Sequence, residues 1–531
     1  MDSQRKHIVS GPDLRRMLFG LAPFVAVFVL FLIMLWPIQL RGGSDDTAQA
    51  TAIYNMGRLK WLEMRMTTWQ PRLVNDFAFS LFIFHLPAWK WINAAIMSLL
   101  LWIMTRWAFL GVRSPQGLTS AGGGTNVARA PGVGFLTLAV FTCLGWFMIH
   151  PNVITSGSVW FTGSFYYLWP TTAMLLGLTP FLLHLYDKRM PYPRVFVPLC
   201  VIFSVLAAFT EQTAAVQIGL VVLLLLRAKF VPQRIPRALY VHAIVLFAVG
   251  VAYFYFDFTS VRVKTGAELP LFPEFASYTF GDKLMLGINV YATHLLHISN
   301  IIFTVLLILA GWMAYRHLHH DTMNDKRRPF VLKLLVFLPA AWGLLNTVPA
   351  PWGYTDGTYS ALSDAVPGAF GFGIHGWLAF LNHVPPISPS ASFGTAVLGI
   401  VALLCVLSPF YLLFAAFSDT RDRFLACALY LASFLSGIII GFSPSVWASE
   451  SRPNYLSNFF LLLLLVMLVR STMQGYSMSP NKLATRQVSI DRHQSRTSAP
   501  MIVALVILTA FAAWVFVLYL LVFATNTYWW Y

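Results

Sequence analysis

The chain has 531 residues, of which 58% are hydrophobic and 11% charged, with a formal net charge of +16. A soluble domain carries roughly 25% charged residues, so this composition excludes an ordinary water-soluble globule. The positive balance does not point to nucleic acid, because the basic residues collect in loops between long apolar runs.

Arg5, Lys6, Arg15 and Arg16 precede an apolar run over 17–38. The run is long enough to span a bilayer and lacks the small-residue cleavage site of a removable leader. It reads as a first transmembrane helix behind a cytoplasmic segment, 1–16. The outer loop 39–85 follows. It mixes Trp61, Trp69, Phe77, Phe79 and Phe82 with charges, and 46–66 and 73–84 read as amphipathic helices lying at the interface. The loop opens on Asp45-Asp46. Adjacent carboxylates repel unless something uses them, either as a general base toward a hydroxyl or as a cation ligand. The structural alternative is Asp46 as the N-cap of a helix starting at Thr47. Arg72, in Trp69-Gln70-Pro71-Arg72, offers the fork geometry that suits phosphate. Its alternatives are a lipid headgroup contact or a pair with Asp76.

Further spans are expected from near 86, 133, 165, 195, 213, 238, 298, 331, 395, 424, 456 and 501, about thirteen in all. The stretch 283–316 also fits an amphipathic surface helix followed by one span. Alternation puts Arg113 and Arg129, Lys188 and Arg189, Arg227 to Arg237, Arg316 to Arg328, Arg421 and Arg423, and 471–500 on one side. That side takes about 26 of the Lys and Arg residues, and the other side about 12 of the acids, the pattern of a cytoplasmic and an outer face.

The second outer loop, 151–164, follows His150. It leads through Trp160-Phe161-Thr162-Gly163-Ser164-Phe165-Tyr166-Tyr167 into the fourth span. It is aromatic, Gly-punctuated and uncharged, and fits either a sugar or lipid headgroup site dipping toward the membrane or a tight turn in an aromatic belt. Glu211 joins two apolar spans with almost no loop, so it lies at or just inside the outer surface. An acid at that depth is functional by default, with a snorkelling or helix-capping acid as the alternative. The outer loops 258–282 and 350–394 follow. His375 and His383, with Asp356 and Asp364, signal a metal only weakly. Arg452 precedes the twelfth span and suits a second phosphate contact or a pair with Glu450. Cys143, Cys200, Cys405 and Cys427 lie in apolar runs without zinc or disulfide spacing, as small core residues do. The domain 17–470 is followed by a polar cytoplasmic linker, 471–500, then a final helix and outer tail, 501–531, ending in Tyr528-Trp529-Trp530-Tyr531. No internal repeat of a transporter kind is found.

Taken together, the outer Asp-Asp after the first span, the Trp-x-x-Arg stretch, the Trp-Phe-Thr-Gly-Ser-x-Tyr-Tyr-Leu-Trp run, the acid at a span turn and the late Arg resemble the GT-C superfamily of polytopic membrane glycosyltransferases. They are most similar to its bacterial branch near the GtrII-type enzymes. The resemblance covers roughly 17–220, and beyond that only topology and Arg452. It implies an all-α transmembrane bundle with amphipathic helices in the first outer loop. It also implies transfer of a sugar from a polyprenyl-phosphate donor to a glycan or teichoic-acid-type acceptor hydroxyl on the outer face of the cell membrane. Asp46 or Asp45 takes the role of base, with a preference for Asp46, and Arg72 and Arg452 match cationic contacts to the lipid phosphate. Glu211 matches the acid of the turn, and His150, Trp160, Tyr166 and Tyr167 line the substrate. No cofactor is required by the resemblance, which leaves a divalent cation open. The competing expectation is a transporter or flippase of lipid-linked saccharides, which would need polar residues lining a path at mid-membrane depth; few charges lie there. A polysaccharide polymerase or ligase ranks lower, because the 350–394 loop carries no Arg.

Overall fold

The computed structural model describes residues 11–40, 42, 44–112, 131–231, 234–271, 273–296, 300–321, 393–446, 449 and 452–475. Among them every regular element is a helix and no strand occurs. The longer ones are α1 (Gly11–Leu35), α2 (Asp45–Met56), α3 (Arg58–Thr68), α4 (Leu73–Phe82), α5 (Leu86–Leu110), α6 (Pro131–Trp146), α7 (Trp169–Leu185) and α8 (Pro193–Ala207). Then come α9 (Glu211–Phe230), α10 (Arg237–Phe258), α11 (Phe280–Leu296), α12 (Ile301–Asp321), α13 (Phe393–Ala416), α14 (Thr420–Ile438) and α15 (Tyr455–Gly475).

Helix α15 is apolar on every side, and a helix of that kind belongs in the interior. Its residues from Tyr455 to Val469 are all buried, and it packs on α5, α6, α12 and α14. The periphery is the reverse. Helix α10 turns Val241, Ile244, Phe247, Val251 and Tyr255 outward, a continuous apolar strip that suits lipid rather than water.

Side-chain bonds fix which helix ends lie together. Arg470, near the end of α15, donates to the carbonyl of Ala108 near the end of α5 at 2.7 Å. It also pairs with Asp422 at the start of α14 at 2.5 Å, to which Tyr186, just past α7, donates at 2.6 Å. At the opposite end Gln212, at the start of α9, donates to the carbonyls of Ser436 near the end of α14 (2.7 Å) and Pro453 just before α15 (2.5 Å). Helices α5, α7 and α15 therefore run parallel, with α14 antiparallel to them. The bundle has an Arg470 end and a Glu211 end.

Six helices among the described residues are long and apolar enough to cross a membrane, or seven if α11 and α12, bent by 80°, count as one span. Helices also stand near the expected starts at 17, 133, 195 and 395, but their apolar parts are shorter, so the thirteen expected spans are not reached by this measure. The bent pair has the outline of the surface helix and span expected over 283–316. The expected helix over 46–66 is two helices, because the chain turns at Gly57 with φ 81°, a conformation that favours glycine. Asp46 is not the cap of α2; that place belongs to Ser44, whose hydroxyl accepts from the Asp46 amide at 3.3 Å. All four cysteines are free, three buried and Cys427 half-buried. Arg113, Arg129, Glu450, the spans near 331 and 501, the linker from 476 on, the aromatic tail, and the 350–392 loop with His375 and His383 lie outside the described residues.

Candidate functional site

Successive residues on a helix point about 100° apart, and this separates the paired aspartates. Asp46 points inward and is fully buried. Its carboxylate accepts from the backbone amide of Thr162 at 3.2 Å and from the Thr162 hydroxyl, which pins α2 to the second outer loop. Asp45 is exposed on the other side of the same turn.

That second loop is not ordinary helix. The Trp160 amide bonds back to the Thr155 carbonyl at 2.7 Å, five residues away, and a second wide turn runs over Ser164–Leu168. Such turns insert an extra residue and are frequent at functional sites. They stack because residue 163 is glycine: a Cβ there would run into the Ser156 carbonyl. Ser158 shares a 2.6 Å hydrogen bond with Tyr455. Asn93 donates to the Ser158 carbonyl at 2.7 Å and accepts from Trp169 Nε1 at 3.0 Å. The loop is thus bolted to α5, α7 and α15.

Against it stand two arginines from the first outer loop. Arg65 of α3 bonds Asp76 at 3.2 Å, and Tyr166 donates to the other Asp76 oxygen. Asp76 therefore pairs with Arg65 and not with Arg72. Arg72, just before α4, reaches Glu211 instead: its Nη2 lies 3.0 and 2.9 Å from the two carboxylate oxygens. Gln70 donates to the same carboxylate at 2.5 Å. Glu211 begins α9, where the positive end of the helix dipole favours an acid. The Arg72–Glu211 pair keeps side-chain exposures of 21% and 24%, and the Arg72 guanidinium lies 5.0 Å from the centre of the Tyr166 ring. Its Nε has no acceptor. Burial disfavours the Arg72 charge, but Glu211, with Tyr253, Tyr167 and Tyr166, holds its pKa well above the ordinary arginine value. For Arg65 burial is likewise outweighed, by Tyr166 and Asp76.

Arg452, Arg72, Glu211 and Asp45 all act electrostatically on the Tyr167 hydroxyl. The Tyr167 ring is 6.1 Å from that of Tyr455. Arg452 sits over Trp160, 5.2 Å from the ring centre, and its Nε donates to the Ser449 carbonyl at 3.0 Å. His150 is half-buried, and its ring centre lies 6.2 Å from that of His294. Asp45, Arg72, Glu211, Trp160, Tyr166, Tyr167, His150 and Arg452 thus lie at the Glu211 end, while Asp46 is buried beneath them.

The sequence did not single out Arg65, Tyr253 or Arg262. Tyr253 is buried on α10, in electrostatic contact with Glu211, Arg72 and Asp257; nothing in its apolar surroundings marks it. Arg262 pairs with Asp257 and Glu268 at 3.2 and 3.1 Å and lies 5.9 Å from the centre of the Trp69 ring. The density of charge in the 258–282 loop was the available signal. Among the described residues no group of three His, Cys, Asp or Glu side chains could hold a metal ion.

Chemically, the end offers an exposed carboxylate, two arginines on separate elements and a wall of tyrosine and tryptophan rings. Comparison with family models and with curated proteins gives no match for this chain.

Proposed function

We propose that this membrane protein is a glycosyltransferase that uses a polyprenyl-phosphate sugar and works at the Glu211 end of the bundle, on the outer face of the cell membrane. The observation that carries the proposal is the partly open Arg72–Glu211 pair against Tyr166, at the same end of the bundle as Arg452 over Trp160 and the exposed Asp45. Lys188 and Arg189 lie just past the end of α7, Arg227 in the last turn of α9, and Arg421 and Arg423 in the first turn of α14, all at the other pole, which suits a cytoplasmic face there.

In the proposed reaction the acceptor oxygen attacks the anomeric carbon and the bond from that carbon to the phosphate oxygen breaks. The acceptor proton passes to the Asp45 carboxylate, and the lipid phosphate leaves as an anion against Arg72 and Arg452. Fixed positive charge aimed at developing negative charge lowers the barrier in this kind of step. The partial exposure of Arg72 matters because it leaves an approach for a phosphate that competes with Glu211. Asp45 replaces Asp46, the preference from sequence, as the base: Asp46 already accepts from Thr162 and has no exposure, whereas Asp45 is open to a hydroxyl.

The test is a transfer assay on purified protein in nanodiscs, with a polyprenyl-phosphate sugar and a hydroxyl acceptor. Release of polyprenyl phosphate that depends on the acceptor supports the reading. Movement of intact donor between leaflets without its cleavage would replace it with a flippase.

A further inference from the structure

At the pole away from the proposed site, the last turns of α9 and the start of α10 border a crevice of about 540 Å³. Ligand pockets run to ~300–1,000 Å³. Arg227, in the last turn of α9, lies 5.3 Å from the centre of the Phe424 ring in α14, which puts the crevice at the Arg470 end. Its walls divide by chemistry. Val222, Leu225 and Leu226 line the part toward the middle of α9, and Lys229 and Arg234 the part toward its end. Tyr240 of α10 lines the crevice as well, a residue type favoured at the level of lipid headgroups. Val222, Leu226 and Tyr240 are 45%, 46% and 47% exposed, so the crevice opens sideways, on the side of α10's apolar strip.

The positive charges here are not neutralised within the protein. From residue 212 to residue 256 the chain has no Asp or Glu, while Arg227, Lys229, Arg234 and Arg237 follow closely on one another. Among the described residues neither Lys229 nor Arg234 forms an ion pair. The acids at this pole are engaged elsewhere: Asp422 pairs with Arg470, Asp187 with Arg421, and Asp419 caps α14. Helix α10 starts behind Pro236, with no side-chain cap, and adds the positive end of its dipole.

This arrangement selects a ligand by chemistry. A free anion has no use for the apolar wall, and a neutral lipid has no use for two unpaired cations. A phospholipid of net negative charge matches both parts, and basic pockets between transmembrane helices bind such headgroups. We propose that the crevice holds one anionic phospholipid of the leaflet at the Arg470 end, its phosphate between Lys229 and Arg234 and an acyl chain along Val222, Leu225 and Leu226. The proposal does not rest on the glycosyltransferase reading, whose residues lie at the opposite pole.

The experiment is native mass spectrometry of the full chain, delipidated in a neutral detergent and titrated with phosphatidylglycerol or phosphatidylcholine. The wild type is expected to hold one phosphatidylglycerol about tenfold more tightly than phosphatidylcholine, the scale of one hydrogen bond to a charged group, and to keep it when inorganic phosphate is added. Lys229→Gln combined with Arg234→Gln removes the headgroup contacts and is expected to erase that preference, with phosphatidylcholine binding unchanged. Val222→Trp fills the apolar part from its exposed side and leaves both charges in place. It is expected to weaken phosphatidylglycerol binding about tenfold as well. Lys188→Gln combined with Arg189→Gln removes two charges from the same pole outside the crevice and is expected to leave binding as in the wild type. Thermal melting in the same detergent shows that each variant is folded. Equal affinity of the wild type for the two lipids overturns the site. So does a loss in the Lys188/Arg189 pair as large as in the Lys229/Arg234 pair, unchanged binding in Val222→Trp, or displacement of the lipid by inorganic phosphate.

Discussion

Arg470–Asp422 and Arg72–Glu211 are both arginine–carboxylate pairs, at opposite ends of the bundle, and only one has room around it. Arg470 and Asp422 are 1% and 6% exposed. Tyr186 and the Ala108 carbonyl close over them, and a Cβ on Gly111 would collide with the Arg470 guanidinium. Arg72 and Glu211 keep about a quarter of their side-chain surface open. The Nε of each arginine lacks an acceptor, so an unused Nε does not separate the two. Access does. A sealed pair locks helices together, and breaking it by removing one partner is costly. In the proposed function, the open pair exchanges its carboxylate for an incoming anion.

The sharpest way to break this comparison is Asp45→Asn. Loss of a general base is expected to lower transfer by about 10²–10⁴-fold with melting unchanged. Asp46→Asn should instead lower the melting temperature; a rate loss confined to Asp46→Asn would return the base to the buried position. At the sealed end, Asp422→Leu alone should destabilise by about 3–5 kcal/mol, and the double variant with Arg470→Met should recover most of it. Thermal melting in detergent reads both, and a neutral single variant would remove the lock. Arg72→Ala should raise the donor KM by about 10–100-fold, the scale of a hydrogen bond to a charged group, with Arg72→Lys between it and the wild type because a point charge lacks the fork. An unchanged donor KM in Arg72→Ala would make the open pair structural as well. The smallest effect is expected from Gln70→Leu, which removes one of the donors to Glu211: a change of about fivefold in donor KM, readable by the same kinetics.

Position in the chain made some of this legible. Arg72, Glu211 and Arg452 stood out because charge next to apolar spans is costly and therefore informative. Partners were not legible. Arg72 bonds Glu211, 139 residues away, and leaves Asp76, four residues away, to Arg65 of the preceding helix. A short-range pairing rule fails there because Arg72 lies outside the helix that holds Asp76. From sequence Asp46 is preferred to Asp45 as base; one helical step of rotation makes Asp46 an anchor and Asp45 the exposed acid. Tyr253 and His294 were hidden by their apolar neighbours. The break at Gly57 and the bend between α11 and α12 depend on packing that periodicity does not carry. The apolar runs themselves were plain, but length alone did not settle how many of them cross a bilayer.

The burial of α15 has a consequence for how the protein is made. The four helices that enclose it, α5, α6, α12 and α14, all precede it in the chain. At translation speeds of about 5–20 residues per second, α5 waits roughly 20–70 seconds in the bilayer before the helix that fills its inner face is synthesised. During that interval the nascent half of the bundle has an unfilled centre, and the Ala108 carbonyl lacks Arg470. The early helices therefore meet their central partner only after α12 and α14 have been made.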